Sequence, residues 1–433
     1  MSQFSQDGCP NRHMDEKKYL LVIGTRPEAI KMWPVLRALE TDPRANCVVC
    51  VTGQHEELVK PFLSLFNIQP HYNLHVMSRD PSLCGLTAIL LQEIGRVITI
   101  ERPDWVLVQG DTTSAMAACL AACYGKVRVA HIEAGLRSHN KTEPFPEEIN
   151  RRIIDQIAEL HFAPTTLDKY DLIREGFSAS SIHVTGNTSI DSLRYISDMP
   201  FSIRDSVLEE LPFGSKRIVL VTVHRRENHG RPLENICAAI RLLADRYRAN
   251  AHFVLPVHPN PNVTPLICER LAGIENVTLT QPLTYPELIA LATASYFVMT
   301  DSGGLQEELP WLGKPSLVLR NVTDRREGVL AGASKLLGIK TGDIVAAAIE
   351  LMENPTLYRQ MAQPKNLFGD GMAGPRIAKI LQSYDPMQAN VGTAGNTTGA
   401  HCSHMVKPVA AIPDADLLGD TESTFAELDN KTL

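Results

Sequence analysis

The sequence of 433 residues has no excess of positive charge, no cysteine spacing typical of a zinc site and no uninterrupted hydrophobic run of membrane-spanning length. Its formal net charge is −7 at pH 7, and Lys and Arg are spread along the chain, so we expect no nucleic-acid partner. Any anionic ligand must then be held by a local pocket of cations. The longest apolar runs are interrupted by charge or glycine, and we expect no membrane span.

The cysteines argue against both metal and disulfide chemistry. Nine are present, an odd number, and most lie in apolar stretches such as 47–50 and 119–123. This usage is typical of reduced, buried thiols in a cytoplasmic protein, and the N-terminus lacks the layout of a signal peptide. His401, Cys402 and His404 have no second pair of ligands nearby, so we interpret them as part of a polar tail and expect no bound metal.

The two ends of the chain differ in composition from the middle. Residues 1–17 are polar and carry no periodic pattern, and residues 385–433 are rich in Ala, Gly, Thr, Asn and Asp. Both are predicted to be disordered tails. The chain as a whole is 44% hydrophobic and 21% charged, a globular balance with room for two or three domains.

Strand-like and helix-like segments alternate between the tails. The first series of strand-length apolar runs covers residues 19–24, 47–52, 105–110, 127–133 and 160–164, and the second covers 218–224, 252–258, 277–280, 296–301 and 316–320. Alternation of this kind predicts parallel sheets with right-handed crossovers and helices on both faces. We therefore predict an α/β chain of two Rossmann-like domains, 18–187 and 188–372, joined near residues 186–192, with ligands bound at the carboxyl ends of the strands.

In the first series, side chains suited to chemistry follow the strands. Thr25 and Glu28 predict a capping box at the first helix, and Arg26 and Lys31 beside that helix N-terminus suit a phosphate or pyrophosphate. Two later strands of this series, and the loop that follows the second of them, end in carboxylates.

Three carboxylates stand out, and each also has a structural explanation. Asp111 is equally well explained as a helix N-cap. Glu133 closes an apolar strand, with an ion pair to Arg137 as the alternative role. Glu147 opens a helix together with Glu148, where acidic residues commonly complement the helix dipole.

The second series ends in cations and small residues. His224, Arg225 and Arg226 follow its first strand and suit a diphosphate group. His258 lies in a turn bounded by prolines, where a purely structural role is the alternative. Residues 301–304 (DSGG) open a helix whose N–H groups can approach phosphate oxygens, and an acidic residue at 307 or 308 suits ribose hydroxyls.

In their order along the chain, these segments resemble the non-hydrolysing UDP-N-acetylglucosamine 2-epimerases. The similarity runs from about residue 18 to 383, and the segments that carry it are 24–31 (GTRPEAIK), 110–113 (GDTT), 131–137 (HIEAGLR), 146–148 (PEE), 224–227 (HRRE) and 301–304 (DSGG). The resemblance implies the GT-B fold, in which two Rossmann-like domains face a cleft, and a homodimer. It also implies UDP binding by the second domain and a last helix, 373–383, that returns to the first.

The resemblance further implies an activity without a cofactor. UDP-N-acetylglucosamine would be epimerised reversibly at C2 to UDP-N-acetylmannosamine by elimination and re-addition of UDP, which supplies an activated amino sugar for polysaccharide or glycoconjugate synthesis. By motif match, the catalytic residues are Asp111, Glu133, Glu147 and His224. The substrate-binding residues are Arg26, Lys31, Arg225, His258, Ser302, Gly303, Gly304, Glu308 and Arg325, with the glycines at the diphosphate, Glu308 at the ribose and Arg325 on the uracil side.

The sequence departs from the family pattern at several places. Gln109 stands where members often have His, Arg326 where they have Pro, and Phe368 where they have Tyr. Bacterial members bind a second UDP-N-acetylglucosamine as activator near a segment that begins with Gln-His and ends in Gln. That segment here is 54–57 (QHEE): Gln54 and His55 are present, but Glu57 replaces the last Gln, which puts activation in doubt.

Other functions remain open at this point. A GT-B glycosyltransferase would share the fold and the donor but would need an acceptor, and a hydrolysing epimerase would release free UDP. An inactive UDP-sugar sensor would be expected to lack the acid–base carboxylates, which are present here.

Overall fold

The computed structural model of the chain describes residues 16–54, 56–76, 82–201, 203, 206–257 and 259–385. The helices and strands of these residues lie within one compact unit that ends at Ser383. The predicted disordered tails fall outside the described residues, apart from Glu16, Lys17 and Asp385. The prediction was wrong at Lys17, which already belongs to the first strand.

Seven strands form the first sheet. They are β1 (Lys17–Ile23), β2 (Ala45–Val51), β3 (Tyr72–Asn73), β4 (Trp105–Gln109), β5 (Arg128–Ile132), β6 (Leu160–Ala163) and β7 (Ile182–Val184). The order is β3-β2-β1-β4-β5-β6-β7, and all pairs are parallel. Because the order reverses between β1 and β4, a crevice opens at the carboxyl ends of these two strands.

Six strands form the second sheet, which has a similar strand order. They are β8 (Arg217–Thr222), β9 (Ala251–Pro256), β10 (Val277–Thr280), β11 (Phe297–Thr300), β12 (Ser316–Val318) and β13 (Ser334–Leu336). The order β10-β9-β8-β11-β12-β13 reverses between β8 and β11, and all pairs are again parallel. The predicted α/β class with two Rossmann-like halves is confirmed.

Fifteen α-helices alternate with the strands in the part of the chain that is described. They are α1 (Arg26–Leu39), α2 (Glu56–Leu65), α3 (Leu83–Glu101), α4 (Thr113–Tyr124), α5 (Glu147–Ile157), α6 (Thr166–Arg174), α7 (Thr188–Asp198), α8 (Arg231–Arg246), α9 (Thr264–Leu271), α10 (Tyr285–Ala294), α11 (Gly303–Trp311), α12 (Arg326–Leu330), α13 (Thr341–Glu353), α14 (Pro355–Met361) and α15 (Ala373–Ser383). By length and composition alone, α3 could cross a membrane, which the sequence analysis did not anticipate. Its residues Leu86, Leu90 and Ile94 are instead buried in the first core.

Hydrophobic side chains cover both faces of each sheet. Along β8, Ile218 and Leu220 belong to one buried cluster, whereas Val219 and Val221 belong to another. Alternate residues of a strand point to opposite faces, so the sheet is packed on both sides. This is why the strands were recognisable as continuous apolar runs.

All ten predicted strands are present, with ends shifted by at most two residues. The three that were missed, β3, β7 and β13, have two or three residues each and lie at the edges of their sheets. Such short edge strands bury too few residues to leave an apolar run in the sequence.

The turn from β1 into α1 is held by a buried carboxylate. Glu28 accepts hydrogen bonds from the backbone N–H groups of Gly24 and Thr25, at 2.5 and 2.6 Å. A Cβ at position 24 would lie 2.4 Å from Ser114 Oγ, so only glycine allows α4 to approach this closely. The turn therefore sets α1 against the carboxyl end of β4.

The last helix lies against the first. Asp191 of α7 accepts from the backbone N–H groups of Ala373 and Gly374 at 3.1 and 2.8 Å, which caps the start of α15. A Cβ at position 374 would lie 2.5 Å from the carbonyl oxygen of Pro34, within α1. Glycine thus permits close contact between α15 and α1.

Candidate active site

The carboxyl ends of the two sheets meet across a cleft that is bridged by buried ion pairs. Lys31 of α1 lies 3.0 Å from Glu307 of α11, measured from Nζ to Oε2. Arg151 of α5 lies 3.0 Å from Asp324, which follows β12. Because each pair joins one half of the chain to the other, the two switch points face the same space.

Glu133 is held by cations from both halves. It follows β5 with φ of +70°, a left-handed conformation that is uncommon outside glycine and found often at functional sites. Its Oε1 accepts from Lys31 Nζ at 2.6 Å and from Arg325 Nη2 at 3.1 Å, and Gln109 donates to its Oε2. Burial raises the pKa of Glu133 to about 7, although Lys31 opposes the shift.

Glu307 shares the same two cations, whereas the sequence analysis considered it only as a possible partner of ribose hydroxyls. It lies 3.0 Å from Lys31 and 2.7 Å from Arg325. Although burial raises its pKa, Lys31 and Arg325 bring it to about 2, so the side chain is a carboxylate. A signal was available: Glu307 lies four residues after Gly303, on the same face of α11.

The structural explanation given above for Asp111 is wrong, because Thr112 is the N-cap of α4. The Thr112 hydroxyl accepts from the backbone N–H of Ala115 at 3.0 Å. The carboxylate of Asp111 instead pairs with Arg151, and 26% of its side chain is exposed. Asp111 is therefore available to a ligand in the cleft.

The alternative for Glu133 is also wrong. Arg137 pairs with Asp155 and with Glu175, each at 2.7 Å, rather than with Glu133. Among the described residues, the cations that pair with Glu133 are Lys31 and Arg325 of the cleft.

Arg151 links Asp111 to the second half. Its side chain is 3% exposed and contacts both Asp111 and Asp324. Although burial raises the pKa of Asp324, Arg325 at 2.6 Å and Arg151 hold it well below the usual range. The sequence analysis proposed no role for Arg151 or Asp324, since neither directly follows a predicted strand.

Glu147 and Glu148 differ although they are neighbours at the start of α5. Glu148 is fully buried and accepts from the backbone N–H of Ser138 and from Arg152, at 3.0 Å each, a structural role. Glu147 Oε2 is buried and has no hydrogen-bond partner among the described residues. Burial and, to a lesser extent, Asp111 raise the pKa of Glu147, as expected for a group suited to proton transfer.

In the second half, Asp301 organises the cations that follow β8. It accepts from the backbone N–H groups of His224 and Arg225, each at 2.9 Å, and from Asn228, and it pairs with His224 Nδ1 at 3.1 Å. Although burial raises the pKa of Asp301, His224 and these donors lower it to about 2. The carboxylate thereby fixes the position of the His224 ring at the cleft.

Two guanidinium groups flank the start of α11. Ser302 is the N-cap of this helix. A Cβ on Gly303 would lie 3.1 Å from Arg225 Nη2 and 3.3 Å from Arg325 Cζ, so only glycine leaves this space free. With Gly304, the first turn offers backbone N–H groups between two cations, which is the chemistry of an anion site.

Glu308 lies deeper in the same helix. It accepts from the Tyr285 hydroxyl at 2.7 Å, and burial raises its pKa to about 7. Arg26 is exposed, with its guanidinium carbon 5.8 Å from the centre of the Phe62 ring. The proposed ribose contact of Glu308 and the phosphate contact of Arg26 stay predictions.

Some predicted residues lie elsewhere. His55 and His258 fall outside the described residues. Gln54 accepts from Ser114 Oγ at 2.7 Å, at the carboxyl end of the first sheet. Arg326, which departs from the family pattern, pairs with Asp171 of α6 in the first half. In the part of the chain that is described, no group of three His, Cys, Asp or Glu is placed to hold a metal ion.

The chain is similar in sequence and in fold to several known proteins. The sequence profile of the UDP-N-acetylglucosamine 2-epimerases matches residues 37–382. The UDP-N-acetylglucosamine 2-epimerase of Campylobacter jejuni is 43% identical over 373 residues, which covers 84% of this chain and 97% of the relative. The crystal structure of the Neisseria meningitidis UDP-GlcNAc 2-epimerase bound to UDP-GlcNAc is 41% identical, with a TM-score of 0.81, and covers 85% of this chain and 100% of that chain. The Methanocaldococcus jannaschii UDP-GlcNAc 2-epimerase in complex with UDP-GlcNAc and UDP is 32% identical, with a TM-score of 0.75 and the same coverage.

Proposed function

The chain belongs to the UDP-N-acetylglucosamine 2-epimerase family, and on that premise we propose that it interconverts UDP-N-acetylglucosamine and UDP-N-acetylmannosamine by a non-hydrolysing mechanism. The observation that supports the proposal is a cleft in which Glu133 of the first half accepts from Arg325 of the second and the charge of Arg225 acts on Glu147.

The proposed epimerisation needs acid–base groups beside the sugar and positive charge beside UDP. The hydrogen on sugar C2 is not acidic enough for direct removal. Breaking the C1–O bond builds positive character at C1, which acidifies C2, and loss of the C2 proton leaves a glycal and UDP. Reprotonation of C2 on the other face, followed by return of UDP to C1, gives the epimer. The protein must therefore retain UDP and supply groups that exchange protons at C2.

The carboxylates can exchange protons at C2. Glu147 combines an unpartnered buried oxygen with a raised pKa, and the pKa of Glu133 is about 7. Groups that titrate near neutrality can both take and return a proton at physiological pH. Asp111, whose side chain is 26% exposed, is assigned to sugar positioning and acid–base work together with them.

The basic side chains can retain UDP. Arg225 and Arg325 flank the space above Gly303 at the start of α11, where a diphosphate would find both guanidinium groups and backbone N–H donors. His224, the neighbour of Arg225 in the chain, is held by Asp301 and would stabilise the departing UDP. A cleft that excludes water would keep the glycal from side reactions. The active form would be a cytoplasmic homodimer that supplies activated amino sugar for polysaccharide or glycoconjugate synthesis.

One incubation tests the proposal against its competitors. The protein is given UDP-N-acetylglucosamine alone in deuterated water, and the products are followed by NMR. We expect UDP-N-acetylmannosamine with deuterium at C2 and no stoichiometric release of UDP. Stoichiometric UDP with free N-acetylmannosamine would indicate a hydrolysing epimerase. No turnover without an acceptor would favour a glycosyltransferase, and product without C2 deuterium would exclude the proposed mechanism.

A further inference from the structure

His131 lies in the interior of β5, directly behind the turn that carries Asp111. It is paired with Val108 of β4 and with His161 of β6, and its side chain is fully buried. None of the steps proposed above uses this residue. Its surroundings nevertheless connect it to the reaction.

Both ring nitrogens of His131 meet hydrogen-bond acceptors. Nε2 lies 2.8 Å from the carbonyl oxygen of Gly110, which has no proton to give, so Nε2 must donate. Nδ1 lies 2.6 Å from Asp155 Oδ1. Asp155 Oδ2 also accepts from the Arg137 guanidinium at 2.7 Å, so this group is a carboxylate and Nδ1 must donate as well. The ring therefore carries both protons.

The charged groups that face His131 accommodate a positive ring. From the loop after β5, Arg137 meets Asp155 and also Glu175, so one guanidinium serves two carboxylates. From β6, His161 donates Nε2–H to the backbone oxygen of Asp155, and burial lowers its pKa, which keeps that ring neutral. The ring of His131, protonated on both nitrogens, places a second positive charge beside the two carboxylates.

The remaining titratable neighbours of His131 do not change this balance of charge. On α4, burial raises the pKa of the Cys119 thiol, which is therefore uncharged. Arg152 lies 3.6 Å from Glu175 but 2.9 Å from the carboxylate of Glu148, its closer partner. The buried cluster around His131 thus stays neutral overall with a doubly protonated ring.

The carbonyl that His131 holds belongs to a turn with little freedom. Gly110 has φ of +69°, a conformation favoured only by glycine, and its N–H donates to the Ile132 carbonyl at 3.0 Å. On the other side, Asn150 Nδ2 donates to the backbone oxygen of Asp111 at 2.9 Å. The backbone carbonyls before and after the Asp111 Cα are therefore both fixed by buried side chains.

We propose that His131 is a positioning residue for Asp111: a buried, doubly protonated imidazole, held by Asp155, whose Nε2–H fixes the Gly110 carbonyl and with it the direction of the Asp111 carboxylate. The inference rests on the proposed function in that Asp111 is taken to act on the sugar. It does not depend on whether Asp111 gives or accepts the proton.

A matched pair of substitutions isolates the contact. His131→Gln places an amide N–H near the position of Nε2, within reach of Gly110, whereas His131→Asn places one near Nδ1, which reaches Asp155 only. Both remove the positive charge. We expect His131→Asn to lower kcat by about 100-fold, the effect of misplacing a catalytic group by about 1 Å, and His131→Gln to recover at least tenfold of that loss. KM for UDP-N-acetylglucosamine should change little in both.

Equal values of kcat in the two variants, or losses that fall on KM instead, would overturn the proposal. If either variant fails to fold, the wild-type protein still tests it. With histidine-selective nitrogen-15 labelling, NMR at pH 7.5 should show one buried ring with protons on both nitrogens. A ring at position 131 with one bare nitrogen would contradict the arrangement.

The epimerase activity and the positioning role of His131 can be refuted separately. Absence of C2 deuterium in the wild-type product would refute the epimerase proposal, while the NMR state of the His131 ring does not involve substrate at all. Conversely, a wild-type enzyme that incorporates deuterium, combined with equal losses in the two variants, would refute only the role given to His131.

Discussion

Arg151 of the first half donates to Asp324 of the second across the cleft, with 3.0 Å between Nη2 and Oδ2, and the same guanidinium group pairs with Asp111. The residue that orients a proposed catalytic carboxylate thus also bridges the two halves. Any movement that separates the sheets must break this ion pair. Positioning of Asp111 is therefore coupled to the closed arrangement of the cleft.

Breaking this bridge should destabilise the protein. Asp324→Asn keeps the shape of the side chain but removes its charge, which leaves Arg151 and Arg325 short of a buried partner. Removal of one partner from a buried ion pair costs about 3 kcal/mol or more. We expect a clearly lower urea midpoint for unfolding. As a control, Glu353→Gln removes the exposed pair with Arg246 and should leave the midpoint unchanged. Equal midpoints for both variants would contradict the bridge.

The sugar-side carboxylates should affect the rate rather than the binding of UDP. Asp111→Asn and Glu147→Gln retain shape but lose the ionisable group. Each should lower kcat by about 100-fold or more, the contribution of a true general acid or base. Titration calorimetry should show UDP affinity within a factor of about three of wild type. His224→Asn should differ by weakening UDP retention. Near-normal rates in Asp111→Asn, Glu147→Gln and Glu133→Gln would refute the assignment.

The ionisation of Glu133 should appear in the pH dependence of kcat and should respond to Gln109. Burial raises the pKa of Glu133 to about 7, so we expect a limb with a midpoint near that pH. Gln109 donates to the ionised carboxylate and thereby favours it. Gln109→Met removes the donor, which raises the pKa further and moves the limb to higher pH.

Gln109→His provides the control for that shift. Members of the family often have His at this position, and its ring can again donate to Glu133. The limb should then lie closer to that of wild type. If the midpoint does not move in Gln109→Met, Gln109 has no influence on the group that titrates.

Activation by substrate should be weak or absent. Glu57, exposed on α2, stands where the family has Gln, and a carboxylate near an anionic activator costs about 1 kcal/mol or more. We expect the rate to rise hyperbolically with UDP-N-acetylglucosamine and the reverse reaction to run without it. Glu57→Gln should introduce a sigmoidal response, whereas Lys60→Gln on the same helix should not. A sigmoidal wild-type curve would exclude this explanation.

The sequence by itself determined the strands and the residues that follow them. Apolar runs such as 105–110 and 218–224 mark strands because a parallel sheet buried on both faces requires continuous hydrophobic residues. In parallel sheets with reversed order, functional side chains follow the strand ends, so Glu133, His224 and Ser302 could be named as candidates from local pattern alone. The family resemblance then supplied expected roles for them.

Only the tertiary structure decided which charges meet. Lys31, predicted to face phosphate, lies between Glu133 and Glu307, and Arg151 lies between Asp111 and Asp324. The sequence separations of these pairs across the cleft, 276 and 173 positions, exceed the reach of any local pattern. Local periodicity records which face of an element is buried, but pairing of charges depends on how the two halves close, and only the folded chain brings those side chains within a few ångströms.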